Sequence, residues 1–137
     1  MATTITALGT VPQKIVDALG AALTQTTMTT LVTFDTHGSE TIGFQLTYTK
    51  HSETNLSFSV EVQIRETGEW FVVPATLTAA QPVYTATTST AFEVYVGRHV
   101  SQMRIRANTT GAPGANARLE VWGMLSGSTY PIIGGAY

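Results

Sequence analysis

The chain has 137 residues, no cysteine and a formal net charge of −2, which excludes a disulfide framework and argues against a strongly basic nucleic-acid binder. No apolar run approaches the ~20 residues of a membrane helix, so membrane insertion is not expected. Charged residues make up only 12% of the chain, whereas 25 residues are threonine. Because threonine suits the polar face of a strand, the composition predicts a β-sheet protein whose low-charge surface is covered by other subunits.

The length predicts a single domain that spans residues 1–137. Residues 1–9 are uncharged and are interpreted as an N-terminal arm. They contain neither the basic nor the apolar region of a secretory signal peptide. We therefore expect a protein that has no signal peptide and is made in the cytoplasm.

A short helix is predicted over residues 12–23. Thr10, followed by Gln13, matches a capping box, and Pro12 is tolerated in a first helical turn. Four apolar residues then follow helical spacing, namely Ile15, Val16, Leu19 and Leu23.

From residue 27 onward the hydrophobic period changes to 2, which indicates strands. In the clearest strand, 55–65, alternate apolar residues face one way: Leu56, Phe58, Val60, Val62 and Ile64. The segment 70–73 is apolar on both faces, so it is expected to be covered on both sides. Further strands near 90–96, 100–107 and 117–125 predict an all-β, antiparallel, jelly-roll-like sandwich over 27–125.

The last two strands are predicted to pair as a hairpin about the loop 108–116. Symmetric pairing directs alternate residues to the core: Met103, Ile105, Ala107, Ala117, Leu119, Val121 and Gly123. It directs the intervening residues outward: Arg104, Arg106, Arg118, Glu120 and Trp122. Arg104 would then oppose Glu120. This face is either a solvated strand surface with an Arg–Trp contact or a contact patch for an acidic partner. It lacks the basic stripe that a nucleic-acid partner requires.

We find no pattern that indicates catalysis or a metal site. Ser126 lies outside a G-x-S-x-G motif, and the three histidines, His37, His51 and His99, have no metal-ligand spacing. The segment 35–40 is interpreted as a plain turn, because it lacks the acid density of a calcium loop. The expectation is a protein that is not an enzyme and needs no cofactor.

Carbohydrate binding stays open as an alternative, because an exposed aromatic ring offers an apolar face to a sugar. The candidates are Trp70, Trp122, Tyr84, Tyr95 and Tyr130. Trp70 heads an apolar run and is assigned to the core. Trp122 is the best candidate to face a ligand.

The C-terminal segment 126–137 is apolar and contains no charge. A free tail is usually polar, so this segment is interpreted as an arm that docks on its own domain or on a neighbouring subunit. Its apolar candidates for such an interface are Tyr130, Ile132, Ile133 and Tyr137. Mutual arm contacts of this kind would hold a homo-oligomer.

Four segments carry a resemblance to known proteins: Gly68–Pro74, Phe92–Gly97, Met103–Ala107 and Ala117–Trp122. Their succession of a turn followed by Trp, a strand ending in Gly and an Arg-bearing hairpin resembles small β-sandwich proteins of tailed bacteriophage particles. These include head decoration, minor capsid and tail-associated proteins. The segment 103–123 is also similar to discoidin-like carbohydrate- or lipid-binding sandwiches, although this chain lacks the cysteines usual in that family.

The first resemblance implies a non-enzymatic structural protein of a virus particle, which decorates or cements the capsid or forms part of the head or tail. Its partners would be other virion proteins and further copies of itself, and it would be located in the virion. The second resemblance supports the alternative, a carbohydrate-binding or receptor-binding module whose partner is a glycan.

Overall fold

The computed structural model describes residues 3–5, 8–9, 11–23, 27–36, 41–64, 68–73, 83–95 and 100–125. These residues form ten strands in two sheets. The strands are β1 (Thr3–Ile5), β2 (Gln13–Leu19), β3 (Thr29–Asp35), β4 (Thr41–Thr49), β5 (Asn55–Ile64), β6 (Trp70–Val72), β7 (Val83–Tyr84), β8 (Thr88–Tyr95), β9 (Val100–Thr110) and β10 (Arg118–Leu125).

Sheet A has the order β1-β3-β9-β5-β6, and the short strand β7 also pairs with β5. Sheet B has the order β2-β10-β4-β8. All pairs are antiparallel except β1 with β3, which is parallel. Strands that follow one another in the sequence lie in alternate sheets from β2 to β5 and again from β8 to β10. The prediction of an all-β fold with antiparallel sheets is confirmed.

The two sheets pack against each other through their apolar faces. Phe34 of sheet A meets Phe44 of sheet B with ring centroids 6.2 Å apart, and Phe58 of sheet A meets Phe92 of sheet B at the same distance. Edge-to-face contacts of this kind add to the stabilisation from area burial alone. The predicted inward residues of β5 are buried as far as Val62, and Ile64 packs partly buried against the core.

The predicted helix over 12–23 is wrong, because residues 13–19 form strand β2, followed by a 3-10 helix at Gly20–Ala22. Val16 pairs with Val121 and Lys14 pairs with Trp122, so Ile15 is the extra residue of a β-bulge. The bulge buries two adjacent residues, Ile15 and Val16, and interrupts the period of 2. Because of this interruption, the apolar residues of the segment have a spacing similar to that of a helix. Leu19, which a helix would bury, is nevertheless exposed.

The predicted hairpin between the last two strands is also wrong. Strand β9 lies in sheet A between β3 and β5, and strand β10 lies in sheet B between β2 and β4. Both edges of each strand are therefore occupied, and the connection 111–117 passes from one sheet to the other. The assignment of inward and outward residues is nevertheless correct, because alternation does not depend on which strand is the neighbour.

The predicted cover on both faces of 70–73 is wrong as well. Strand β6 is the last strand of sheet A among the described residues, and only Val73 of this segment is buried. Phe71 and Val72 are exposed, and Trp70 is half-buried on the outer face of the sheet.

Candidate functional site

The structure places the predicted interface residues on opposite sides of the sandwich. Arg104 and Arg106 project from the outer face of sheet A, whereas Arg118 and Trp122 project from the outer face of sheet B. The three arginines therefore do not form one patch. The remaining predicted interface residues lie outside the described residues: Tyr130, Ile132, Ile133 and Tyr137.

On sheet A, the carboxylate of Glu61 is covered by two arginines. Glu61 is only 6% exposed, and its Oε1 accepts hydrogen bonds from Nε and Nη2 of Arg104 at 2.8 and 2.6 Å. Its Oε2 accepts one from Nη1 of Arg106 at 3.4 Å. The Arg104 guanidinium also stacks on Trp70, 4.3 Å from the ring centroid. Arg104 therefore pairs with Glu61 and Trp70, and the predicted contacts with Glu120 and Trp122 are wrong.

Arg106 is held from a second direction as well, because its Nη2 donates to the Met28 carbonyl at 2.9 Å. Both guanidinium groups are therefore engaged within the chain. This network of charge-assisted hydrogen bonds stabilises the sheet, and whether its face also contacts a partner stays a prediction.

On sheet B, four charged side chains form an exposed network beside Trp122. Arg118 Nε and Nη2 donate to the two carboxylate oxygens of Asp17 at 2.9 and 3.0 Å. Lys14 Nζ donates to Glu120 Oε2 at 3.0 Å and lies 5.6 Å from the Trp122 ring centroid. The hydrogen bonds from Arg118 lower the pKa of Asp17, and the hydrogen bond to Glu120 raises the pKa of Lys14. Such exposed pairs contribute little stability.

Next to this network, the outer face of sheet B contains a groove with a cavity volume of about 510 Å³. Strand register aligns two rows of outward positions across it, Trp122–Gln45–Ala91 and Met124–Gly43–Glu93. Gly43 has no side chain and Ala91 has a small one, so a depression is left between larger neighbours. The groove is lined by Pro12, Gly43, Phe44, Gln45, Ala91, Phe92, Glu93, Trp122, Gly123 and Met124.

Trp122 is 40% exposed and lines this groove; its selection from the sequence as the aromatic residue that faces a ligand stays a prediction. Gly43, Gln45 and Glu93 were missed, because their strands were read only for their inward residues. The available signal was a glycine at an outward position of an alternating strand, which leaves a gap in the outer face.

A second exposed feature is the edge of sheet A formed by β6 and β7. Three apolar side chains there are exposed: Phe71 by 48%, Val72 by 64% and Val83 by 42%. Both strands pair with the same edge of β5. Their cross-strand partners place Phe71 on the inner side of the sheet, opposite Val62, and Val72 and Val83 on the outer side, opposite Glu61 and Ser57. We refer to these three residues along the edge as the edge patch.

The described residues contain no group of three or more His, Asp or Glu side chains placed to hold a metal ion. Among them, no helix has the length and apolar character needed to cross a membrane. His51 is exposed in the loop after β4, and His37 and His99 lie outside the described residues.

The sequence matches no model of a known protein family and no curated protein. Among solved structures, it is similar to a chain in the structure of the infectious bursal disease virus Gx strain, with a TM-score of 0.45 and 15% sequence identity. The similarity covers 93% of this chain and 32% of that chain, so this chain spans about a third of that chain's length. A likeness at this level carries no conclusion about function.

Proposed function

We propose that the chain is a non-enzymatic structural protein of a virus particle. In this proposal it is a jelly-roll-like sandwich that decorates or cements the capsid of a tailed bacteriophage, or forms part of its head or tail. Its partners are other virion proteins and further copies of the chain. The proposal is supported by the low charge and the resemblance of four sequence segments to phage β-sandwich proteins.

The observation that carries the proposal is the edge patch. Burial of apolar surface favours association by about 25 cal/mol per Å², and a sheet edge that exposes apolar side chains is a recognised route to pairing between chains. The two residues that follow each other in β6, Phe71 and Val72, are both exposed. An edge with this composition is suited to burial against another subunit.

The low charge of the chain supports the same conclusion. With 12% charged residues, neighbouring copies repel each other weakly, and several of the charges are already paired within the chain, as at Glu61 and Asp17. Apolar contacts at the edge patch would therefore meet little electrostatic opposition. Docking of the segment 126–137 on a neighbour remains a further part of the proposal.

The test is the absolute mass of the purified chain, measured by light scattering after size exclusion at several concentrations. We expect an oligomer for the native chain and a monomer for the double variant Phe71→Lys/Val72→Lys, because two desolvated charges would oppose burial of the patch. Val11→Lys is the matched control, since Val11 is exposed but lies outside the edge patch. A native chain that is monomeric at every concentration would contradict self-association, and an oligomer unaffected by the double variant would contradict the role of the edge patch.

A further inference from the structure

The groove on sheet B is built from the strand register and does not depend on the edge patch, which lies on the other sheet. Strand β4 runs through its centre, with Gly43 and Gln45 as consecutive outward positions. Strand β10 places Trp122 and Met124 on one side, and strand β8 places Ala91 and Glu93 on the other. One wall is therefore largely apolar and the opposite wall carries a carboxylate.

This arrangement suits a ligand that has one apolar face and several hydrogen-bonding edges. The Trp122 indole offers a flat apolar surface. The amide of Gln45 can both donate and accept, and the carboxylate of Glu93 accepts. Pyranose sugars have this combination, with C–H groups on a ring face and hydroxyl groups around the rim. A cavity of about 510 Å³ lies within the range of small-molecule sites, about 300–1,000 Å³.

The charges around the groove favour an uncharged ligand. Glu93 provides a negative charge in the lining, which would repel a phosphate or a sugar acid. Among the described residues, the cation that lies over the Trp122 ring is Lys14, and its ammonium group is already bound by Glu120 at 3.0 Å. A purely apolar ligand would displace water from Gln45 and Glu93 without replacing its hydrogen bonds, which is costly.

We propose that this groove binds a neutral hexose or N-acetylhexosamine unit of a glycan, with the sugar ring stacked on Trp122 and its hydroxyl groups bonded to Gln45 and Glu93. This inference goes beyond a structural role, because it gives the outer face of sheet B a contact with a glycosylated surface. It stands independently of whether the edge patch mediates assembly.

The chain offers a direct optical test, because it contains only two tryptophans. In the 137-residue chain with Trp70→Phe, Trp122 is the only tryptophan, so its emission reports on the groove alone. The probes are the methyl glycosides of glucose, galactose, mannose and N-acetylglucosamine, with free sialic acid as the charged comparison. We expect a saturable change in emission with at least one neutral glycoside at millimolar concentrations and a weaker response to sialic acid.

Gly43→Val fills the groove without removing a proposed contact. A Cβ atom at residue 43 would meet only the Met124 Cγ atom, at an ordinary distance of 3.7 Å, and valine suits a strand. In the Trp70→Phe background this substitution should lower the affinity for the glycoside at least about tenfold, as should Gln45→Ala, since loss of a central contact commonly costs this much. Thr47→Val is the control, because Thr47 lies on the same strand outside the groove lining.

Three results would overturn the glycan proposal. The first is no saturable response to any of the four neutral glycosides. The second is an unchanged response in a folded Gly43→Val variant. The third is Trp122 emission that changes with protein concentration and not with glycoside, which would assign the groove to a contact between copies of the chain.

Discussion

Tyr48 donates a hydrogen bond to Oε2 of Glu53, and both side chains are fully buried. The other carboxylate oxygen of Glu53 accepts the backbone N–H of His51 at 3.0 Å. A buried carboxylate is tolerated when it receives donors of this kind. Burial and the adjacent Glu53 carboxylate both raise the pKa of Tyr48, so this hydroxyl remains a donor at physiological pH. The pair fastens the loop between β4 and β5 to the core.

Tyr48→Phe should destabilise the fold by about 1–3 kcal/mol, because it leaves the buried Glu53 carboxylate with one donor fewer. The measurement is the free energy of unfolding in urea. Tyr95→Phe is the matched control, since Tyr95 is 55% exposed and its hydroxyl makes a long, exposed contact of 3.4 Å with Glu93. Equal stability of the two variants would contradict a structural role for the Tyr48–Glu53 pair.

Glu61→Gln should destabilise the fold by about 1–3 kcal/mol, because the hydrogen bonds from Arg104 and Arg106 lose their charged acceptor. The substitution keeps the size of the side chain but removes its charge and turns one of the two acceptor oxygens into an NH₂ donor. Glu120→Gln provides the comparison on sheet B, where pairs are more exposed and are worth about 0–1 kcal/mol. A loss at Glu120 as large as that at Glu61 would show that burial of the sheet A network is unimportant. Chemical denaturation of both variants distinguishes these outcomes.

Asp17→Asn tests the pH dependence of the sheet B network. Arg118 lowers the pKa of Asp17 below its ordinary value of 3.8, so the unfolded chain binds a proton at Asp17 more readily than the folded chain does. The stabilisation from Asp17 is therefore present above that value and is lost as the pH falls through the lower pKa of the folded state. We expect the stability difference between the native chain and the variant to be greatest above about pH 4 and to shrink in more acidic solution. The check is thermal unfolding of both proteins from neutral to strongly acidic pH, and a difference that grows on acidification would contradict the assignment.

The sequence allowed prediction of the faces of individual strands but not of their partners. The inward residues of β5, β9 and β10 follow from alternation, because side chains on a strand change sides at every residue. Which strands become neighbours depends on segments that are far apart in the sequence, because these segments supply the free strand edges and set the register of pairing. The hairpin between β9 and β10 was therefore a reasonable prediction from proximity along the chain, and it failed because the connection 111–117 crosses between the sheets.

The groove illustrates the same limit for the candidate site. Trp122 could be selected from the sequence as an outward-facing aromatic residue. Its polar companions could not, because Gln45 and Glu93 reach it only through the pairing of β4 with both β10 and β8. Glu61 was correctly assigned to the polar face of β5, but its burial could not be predicted, because only the pairing of β5 with β9 brings Arg104 and Arg106 over it.

The position of β10 in the middle of sheet B has a consequence for biosynthesis. Strand β10 joins β2 to β4, with pairs such as Val121 with Val16 and Val121 with Leu46. Sheet B cannot be completed until residues 118–125 have left the ribosome, so the earlier strands wait with unpaired edges. Pairing across such long sequence separations is slow, typically on a scale of about milliseconds to seconds. Because the polar faces of the strands are rich in threonine and only weakly hydrophobic, they would limit aggregation of the nascent chain during this interval.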